Sequence, residues 1–446
     1  MPISYSYNHK ISSLVVLFVV SSFVSLLPES HGAIAEYDEY LLKRAEESYE
    51  ESLKAFDPNP EKLADELNQQ VGETLIRENV TRRHLEQDDC KATNPIDRCW
   101  RCDPNWAKRR KRLVDCVRGF GHRTTGGKKG RYYVVTDSSD NDMNEPKPGT
   151  IRHAVIQSKP LWIIFSRSMV IRLNQELIFS SDKTIDGRGV QVHIAYGSGI
   201  TLQFVHNVII HNVWIHNIVP TSGGMIRDAV DHIGLRTMSD GDGISVFSSN
   251  NIWIDHVSLS RGTDGLIDVI DGSTAVTISN CKFNNHDAVM LLGAHDSDTK
   301  DAVMQVTVAF NRFGKGLVQR MPRCRWGFVH VINNDYSKWK MYAIGGSAHP
   351  TIISQGNRFK ASNNPHTKQV TKRDYATESE WSKWQWRSEG DRFVNGAYFT
   401  ESGPEIRHTK TPLFTKKDFI TFRPGSYAGR LTRYAGALRC RRGKPC

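Results

Sequence analysis

The chain has 446 residues, of which 39% are hydrophobic and 24% are charged, and its formal net charge is +11. This length and composition are typical of a folded protein with a large core, and they exclude both an intrinsically disordered chain and a protein with many membrane spans. A basic chain suits a polyanionic partner, and the charge alone leaves nucleic acid, anionic membrane and acidic polysaccharide open.

The N-terminus has the layout of a secretory signal peptide. Lys10 precedes the apolar run Ile11–Leu27, and small residues follow at Gly32, Ala33 and Ala35. The run approaches the length of a membrane span, so an uncleaved anchor is the alternative, but the prompt small-residue region favours cleavage. We therefore predict a signal peptide over residues 1–32, secretion, no stable membrane association and no nucleic-acid partner.

Cysteine usage agrees with export. The eight cysteines favour disulfides in a secreted chain, although their spacing leaves the pairing open. Cys99 and Cys102 form a Cys-x-x-Cys arrangement that redox and zinc sites also use, yet no second close pair or histidine cluster completes a zinc site, so we interpret them as structural. Asn79, in Asn-Val-Thr, is the glycosylation sequon and predicts a glycoprotein.

The segment after the signal peptide shows the spacing of helices. Apolar residues recur every three or four positions from Leu42 to Phe56, the segment Asp57–Pro60 interrupts them, and a second apolar stripe runs from Leu63 to Leu75. Such stripes are usually packing surfaces. We predict a short helical N-terminal region over residues 33–95, whose role as an inhibitory, targeting or structural element the sequence leaves open.

The middle of the chain, roughly 110–400, repeats short β-branched runs separated by Gly, Asn, Asp and Ser. Six segments share an eight-residue template with apolar residues at both ends, and they start at Val208, Ile252, Val276, Val306, Val329 and Ile352. The intervals of 44, 24, 30, 23 and 23 residues indicate stacked units. Hairpin signals are sparse, which disfavours an antiparallel sandwich. We predict an all-β fold, a parallel β-helix over residues 96–400, with a basic C-terminal segment, residues 401–446, packed on it.

Asparagine occupies the sixth template position of three successive segments, at Asn311, Asn334 and Asn357. Stacked asparagine side chains hydrogen-bond along a solenoid and satisfy backbone groups at its turns. We therefore interpret these three residues as structural rather than catalytic.

Four aspartates flank the segment that begins at Ile252. Asp240 and Asp242 precede it, and Asp264 and Asp268 follow it. On a coil of about two dozen residues, Asp240 and Asp264 are expected to be neighbours on adjacent coils. Clustered carboxylates without thiols or an obvious histidine ligand fit a hard cation such as Ca²⁺. Taken alone, the four residues fit ordinary Asp-Gly turns equally well.

The segment Arg320–Arg325, RMPRCR, concentrates cations around a proline. Pro322 restricts the backbone between them, and arginine binds carboxylates in bidentate fashion. A basic surface turn is the alternative interpretation of the isolated segment.

Together these motifs resemble the plant members of the pectate lyase superfamily, polysaccharide lyase family 1. The similarity extends over about residues 36–446, and its motifs occur in the family's order. The stretches that carry it are Asn94–Cys102, Asn251–His256, Asp264–Asp268, Val289–Gly293, Val318–Arg325, Tyr342–Ser347 and Leu431–Gly436.

The resemblance implies a right-handed parallel β-helix whose long loops form a groove for polygalacturonate, in a cell-wall protein that we expect to be a monomer. It implies calcium-dependent eliminative cleavage of (1→4)-α-D-galacturonan, or de-esterified pectin, to 4,5-unsaturated oligogalacturonates. Arg320 corresponds to the family's proton-abstracting arginine and Arg325 to its substrate-binding arginine. The residues corresponding to its calcium site are Asp240, Asp242, Asp264 and Asp268.

The chain also departs from the family's pattern. Ala288 replaces a substrate-binding lysine that some relatives carry two residues after His286, Val257 replaces an asparagine, and Gly293–Asp296 reads GAHD instead of GHSD. The loss of a cation at Ala288 makes a catalytically weak pectin-binding wall protein the alternative function. A polygalacturonase, which hydrolyses with paired carboxylates, is disfavoured because its Asn-Thr-Asp, Gly-Asp-Asp, Gly-His-Gly and Arg-Ile-Lys motifs are absent.

Overall fold

The computed structural model describes residues 38–84, 90–404 and 425–446. The predicted signal peptide, residues 1–32, lies outside the described residues. The chain divides into two compact units, Met1–Lys43 and Arg44–Cys446. The domain boundaries predicted from the sequence remain predictions.

The second unit is dominated by a right-handed parallel β-helix, whose coils contribute strands to three parallel sheets. The first sheet contains β1 (Arg131–Val135), β2 (Leu161–Phe165), β5 (Lys183–Asp186), β8 (His206–His211), β13 (Asn250–Asp255), β16 (Thr274–Ser279), β20 (Gln305–Ala309), β24 (Phe328–Ile332), β27 (Thr351–Gln355) and β30 (Trp386–Glu389). The second contains β3 (Met169–Ile171), β6 (Val192–Ala195), β9 (Trp214–His216), β14 (Ser258–Ser260), β17 (Lys282–Asn284), β21 (Arg312–Phe313), β25 (Asp335–Ser337), β28 (Arg358–Lys360) and β31 (Arg392–Val394). The third contains β4 (Leu177–Ile178), β7 (Ile200–Gln203), β12 (Ile244–Phe247), β15 (Ile267–Ile270), β19 (Met290–Leu292), β23 (Arg323–Cys324), β26 (Ile344–Gly346) and β29 (Thr371–Arg373).

The remaining described elements lie in the loops and at the ends of the chain. Two strand pairs stand apart from the three sheets, β10 (Gly224–Ala229) with β11 (His232–Arg236), and β18 (His286–Ala288) with β22 (Leu317–Gln319). The α-helices are α1 (Glu39–Ala55), α2 (Pro60–His84), α3 (Pro95–Trp100), α4 (Ile151–Val155), α5 (Glu378–Trp381) and α6 (Ala428–Leu431). Short 3₁₀ helices cover Arg110–Cys116, Phe120–Arg123, Gly126–Lys129, Thr299–Val303 and Pro365–Thr367. Within the described ranges, no helix combines the length and apolar character needed to cross a bilayer.

The predicted repeat is confirmed by the strand register of the first sheet. The six residues that open the template pair with one another from coil to coil, in the order Val208, Ile252, Val276, Val306, Val329 and Ile352. At the eighth template position, the rings of Phe283, Phe313, Tyr336 and Phe359 stack inside the helix with centroids 4.4–5.0 Å apart. Each coil thus buries its apolar residues against its neighbours, as a solenoid requires.

The asparagine ladder is also confirmed. Asn311 donates its backbone N–H to the Asn334 side chain at 2.8 Å, and Asn334 donates in the same way to Asn357 at 2.7 Å. The ladder ends at Asp391, whose carboxylate accepts from the backbone of Asn357 at 2.7 Å. All three asparagines are fully buried. Their amides therefore satisfy turn backbone groups that water cannot reach.

We expect Asn334→Ala to lower the free energy of unfolding by about 3 kcal/mol, because it leaves the buried N–H of Asn311 without its acceptor and removes one donor from the carbonyl of Val308. Each of these two hydrogen bonds is 2.8 Å long. Urea unfolding followed by circular dichroism measures the change. Asn141→Ala, at an exposed asparagine, is the control and is expected to change the unfolding midpoint little. An equal effect of both variants would contradict the role assigned to the ladder.

A hairpin interrupts the solenoid and explains its one long interval. The 44 residues from Val208 to Ile252 include β10 and β11, which pair antiparallel. The backbone N–H of Ser239 closes the base of this excursion on the carbonyl of Thr221 at 2.9 Å. The next residue is Asp240, so the first of the four aspartates follows the hairpin directly.

The N-terminal helices break where the sequence predicts, since α1 ends at Ala55 and α2 begins at Pro60. The backbone of Asp57 exchanges two hydrogen bonds with the side chain of Gln305, at 2.8 and 2.6 Å. Leu67 and Leu75 share one apolar cluster with Trp253 of the first sheet. The predicted apolar stripe is therefore a packing surface of the β-helix.

Three disulfides are present in the described chain, Cys90–Cys102 and Cys99–Cys116 before the first strand of the β-helix and Cys440–Cys446 at the C-terminus. The interpretation of Cys99 and Cys102 as structural is confirmed, because each bonds a different partner. The remaining two cysteines, Cys281 and Cys324, are unpaired and buried within the β-helix. An even number of cysteines therefore does not mean that every one is paired.

Candidate active site

The four aspartates lie where adjacent coils enter the third sheet. β12 and β15 pair with Ile244 opposite Ile267, which stacks the loops that precede these two strands. Carboxylate oxygens of Asp240, Asp242 and Asp264 lie within 4.8 Å of one another. The structure thus places Asp240 and Asp264 as neighbours on adjacent coils, as their spacing predicts.

Asp242 and Asp268 converge on Gly265. Asp242 Oδ1 accepts from the backbone N–H of Gly265 at 2.6 Å, and its Oδ2 accepts from Ser245 Oγ at 2.9 Å. A β-carbon at Gly265 would lie 2.8 Å from Asp242 Oδ1 and closer still to Asp268 Oδ1. Only glycine leaves room for both carboxylates there, so Asp268 lies in the same cluster as Asp242.

The hydrogen bonds made by the four aspartates do not compensate their combined negative charge. Asp268 is buried, and its Oδ1 has no hydrogen-bond partner among the described residues. Burial, followed by the charge of Asp242, raises the pKa of Asp268 well above its usual range. Burial and the carboxylates of Asp240 and Asp264 raise the pKa of Asp242 to about 7. A hard divalent cation would relieve both effects, so the donor set fits calcium.

Arg320 follows β22, and its backbone carbonyl accepts from the N–H of Met290, which pairs with Ile267, the residue before Asp268. Its positive charge acts on Asp268, where it opposes the rise in pKa. Its backbone has φ of 59°, a left-handed conformation that costs a non-glycine residue about 1–3 kcal/mol. The Nε of Arg320 is buried and has no partner among the described residues. The Met321–Pro322 peptide bond in the same segment is cis.

The other two arginines of the segment have different surroundings. Arg323 is buried and forms an ion pair with Asp374 at 2.6 Å. Arg325 follows β23 and donates from Nε to Asp296 at 3.0 Å and from Nη1 to the carbonyl of Gly293 at 2.6 Å. Desolvation, followed by the charge of Arg323, lowers the pKa of Arg325. Arg323 is thus paired inside the fold, whereas Arg325 is held by the loop that carries Gly293 and Asp296.

Sequence reasoning did not assign a role to His286 or Glu176. Nε2 of His286 donates to the backbone carbonyl of Asp264 at 2.5 Å, which holds the loop that carries this aspartate. Glu176 lines a small open pocket together with Asp240 and Asp242, and it accepts from Thr201 at 2.6 Å. The position of His286 before Ala288 in a recognised motif was the only signal in the sequence, and Glu176 had none.

Ala288, the departure from the family's lysine, lies beside the arginine segment. It is half-buried on β18 and pairs with Gln319 of β22, the residue before Arg320. A longer side chain at position 288 would therefore start one strand away from Arg320.

The chain resembles known pectate lyases over nearly its whole length. It matches the family described as "Pectate lyase" over residues 172–383 and the one described as "Pectate lyase, N terminus" over residues 33–85. It is 59% identical to a pectate lyase of Lilium longiflorum over 94% of this chain and 96% of that protein. The chain belongs to the pectate lyase family. It is thus a polysaccharide lyase by relationship.

Further relatives of this pectate lyase agree. The probable pectate lyase P59 of Solanum lycopersicum is 56% identical over 96% of this chain and 98% of that protein. The crystal structure of jun a 1, the major allergen from cedar pollen, is 46% identical with a TM-score of 0.73, covering 77% of this chain and 99% of that one. The thermostable pectate lyase PL 47, at 21% identity and a TM-score of 0.52, covers 72% and 97% and supports the fold alone.

Proposed function

We propose that this pectate lyase cleaves (1→4)-α-D-galacturonan by calcium-dependent β-elimination and releases 4,5-unsaturated oligogalacturonates. The observation that carries the proposal is the juxtaposition of Asp268, a buried carboxylate with an unpartnered oxygen, with three further aspartates and Arg320. Carboxylates in this arrangement fit a hard cation, and the arginine is placed to act on a substrate bound there.

Asp240, Asp242, Asp264 and Asp268 would hold the calcium ion. A calcium ion held there would supply Lewis acidity toward a uronate carboxylate, which would make the adjacent C5 proton more acidic. Ser245 and the backbone of Gly265 orient Asp242, and His286 holds the loop of Asp264. These contacts fix the carboxylates before any substrate arrives.

Arg320 would remove the C5 proton. As the C5–H bond breaks, its electron pair forms the C4–C5 double bond, the C4–O bond breaks, and the departing sugar takes a proton from solvent. A guanidinium is an unusual base, because it is normally protonated. Arg325 would bind a uronate carboxylate and stabilise the charge that develops on it.

The same proposal includes secretion to the cell wall, glycosylation at Asn79 and a monomeric state. Three disulfides support an oxidising compartment, since such bonds are rare in the cytosol. A polyanionic wall polymer also suits a chain with a net charge of +11.

The decisive experiment incubates the secreted protein with polygalacturonate, with calcium or with a chelator, and follows the ultraviolet absorbance of the conjugated product. A calcium-dependent rise is the expected result. Reducing ends without that absorbance would indicate hydrolysis instead. Binding of pectin with neither product would favour the catalytically weak wall protein.

We expect Ala288→Lys to lower KM for polygalacturonate about fivefold, because one added cation near Arg320 contributes about 1 kcal/mol to binding a polyanion. Initial rates across substrate concentrations measure this. Ala288→Gln, of similar length but uncharged, is the matched control and is expected to leave KM near the wild-type value. A fall in KM for both variants would attribute the effect to contact area rather than to charge.

A further inference from the structure

The loop Gly293–Asp296 forms hydrogen bonds with the guanidinium of Arg325. Asp296 accepts from Arg325 Nε at 3.0 Å, and the carbonyl of Gly293 accepts from Nη1 at 2.6 Å. The backbone N–H of Arg325 is also bound, to the carbonyl of Leu292 at 3.0 Å. Both the backbone and the guanidinium of Arg325 are therefore held by one short segment of the preceding coil.

Asp296 is itself fixed from two other directions. Ser347 Oγ donates to Asp296 Oδ1 at 2.6 Å, and Trp326 Nε1 donates to the Asp296 carbonyl at 3.1 Å. Ser347 belongs to the following coil, so three successive coils meet at this carboxylate. Gly293, at φ of 95°, allows the close approach, since a β-carbon there would lie 3.0 Å from Arg325 Cβ.

These hydrogen bonds leave most N–H donors of the Arg325 guanidinium available to a ligand. Arginine has five N–H donors, and two of them are committed within the described part of the chain. The remaining three suffice for a bidentate bond to a carboxylate. The side chain of Arg325 is 15% exposed and that of Asp296 is 49% exposed, so the pair lies at the surface, where a ligand can reach it.

We propose that Asp296 is a positioning residue that holds Arg325 in the orientation that binds a uronate carboxylate. The inference rests on the proposed function, in which Arg325 binds substrate. Because Asp296 is half-exposed to solvent, its ion pair with Arg325 contributes little to stability, so the pair's main effect is to order a long side chain before substrate binds. Asp296 also neutralises part of the charge on Arg325, which acts in the opposite direction. We expect the ordering of the Arg325 side chain to outweigh this partial neutralisation of its charge, because three of its N–H donors remain free for the ligand.

The test compares full-length wild type with Asp296→Ala on polygalacturonate. We expect KM to rise about fivefold, the effect of ordering one long side chain, while kcat changes less than about twofold. Asp296→Asn keeps an acceptor oxygen and is expected to lie between the two. Asp374→Asn is the matched control, because Asp374 pairs with the neighbouring Arg323 at 2.6 Å, and it is expected to leave KM unchanged.

A second comparison separates positioning from a general structural effect. In an Arg325→Ala background, Asp296→Ala is expected to add nothing to KM, since its effect acts through Arg325. An unchanged or lowered KM in the single variant, or an equal rise in both backgrounds, would overturn the proposal. If the wild type forms no unsaturated product, the proposed function fails, and dissociation constants for oligogalacturonate from the same variants still decide the role of Asp296.

Discussion

Arg320→Lys is expected to lower kcat for polygalacturonate about a thousandfold, within the range typical of a lost general base. Lysine keeps the positive charge but is shorter, and its ammonium cannot take the position of the guanidinium nitrogens. The left-handed backbone at φ of 59° fixes where this side chain starts, so a shorter replacement has little freedom to compensate. The initial rate of product absorbance in saturating substrate measures the change.

The control for this prediction is Arg312→Lys, the same substitution at an exposed arginine on the second sheet. It is expected to keep the wild-type rate. Thermal unfolding of both variants checks that the fold is retained, because Arg320 also lies against the acidic cluster. A rate for Arg320→Lys within tenfold of wild type would rule out Arg320 as the base and leave it a purely electrostatic role.

The solenoid could be predicted from the sequence because its repeat is written in residue types. The first template position aligns along one sheet from Val208 to Ile352, and the sixth position forms the asparagine ladder. The hairpin of β10 and β11 could not be predicted in this way. Its strands are joined by Val230 and Asp231, which carry no Asn-Gly or Gly signal of a tight turn.

Some contacts of the candidate site could also be predicted from the repeat, and others could not. Asp240 and Asp264 lie 24 residues apart, close to one coil, so their proximity follows from the repeat. Arg325 and Asp296 lie 29 residues apart, and loops of irregular length intervene between them. Such contacts depend on the path of each loop, which neither periodicity nor residue type specifies. The disulfide pairing was open for the same reason.

Calcium is expected to stabilise the folded protein, by about 2.7 kcal/mol at a free concentration one hundred times its Kd. The fold holds Asp268 buried beside other carboxylates, and this raises the pKa of Asp268 and, to about 7, that of Asp242. A carboxyl whose pKa is raised on folding stabilises the fold fully below its unfolded pKa, and that contribution is lost as pH rises through the folded value. The shift in unfolding temperature on adding calcium should therefore be larger at pH 8 than at pH 5.

Asp268→Asn separates two effects of the Asp268 carboxylate. It costs stability when it ionises inside the fold, and it would bind calcium. Without calcium at pH 8, the variant is expected to unfold at a higher temperature than wild type, because the fold no longer has to ionise a buried acid beside Asp242. With calcium, it is expected to gain little further stability and to lose most lyase activity, because one ligand is missing. Magnesium is the control ion, since its smaller, octahedral coordination suits this loop-borne cluster less well. Equal stabilisation of wild type and variant by calcium would show that the ion binds elsewhere, and the carboxylate cluster would then need another explanation.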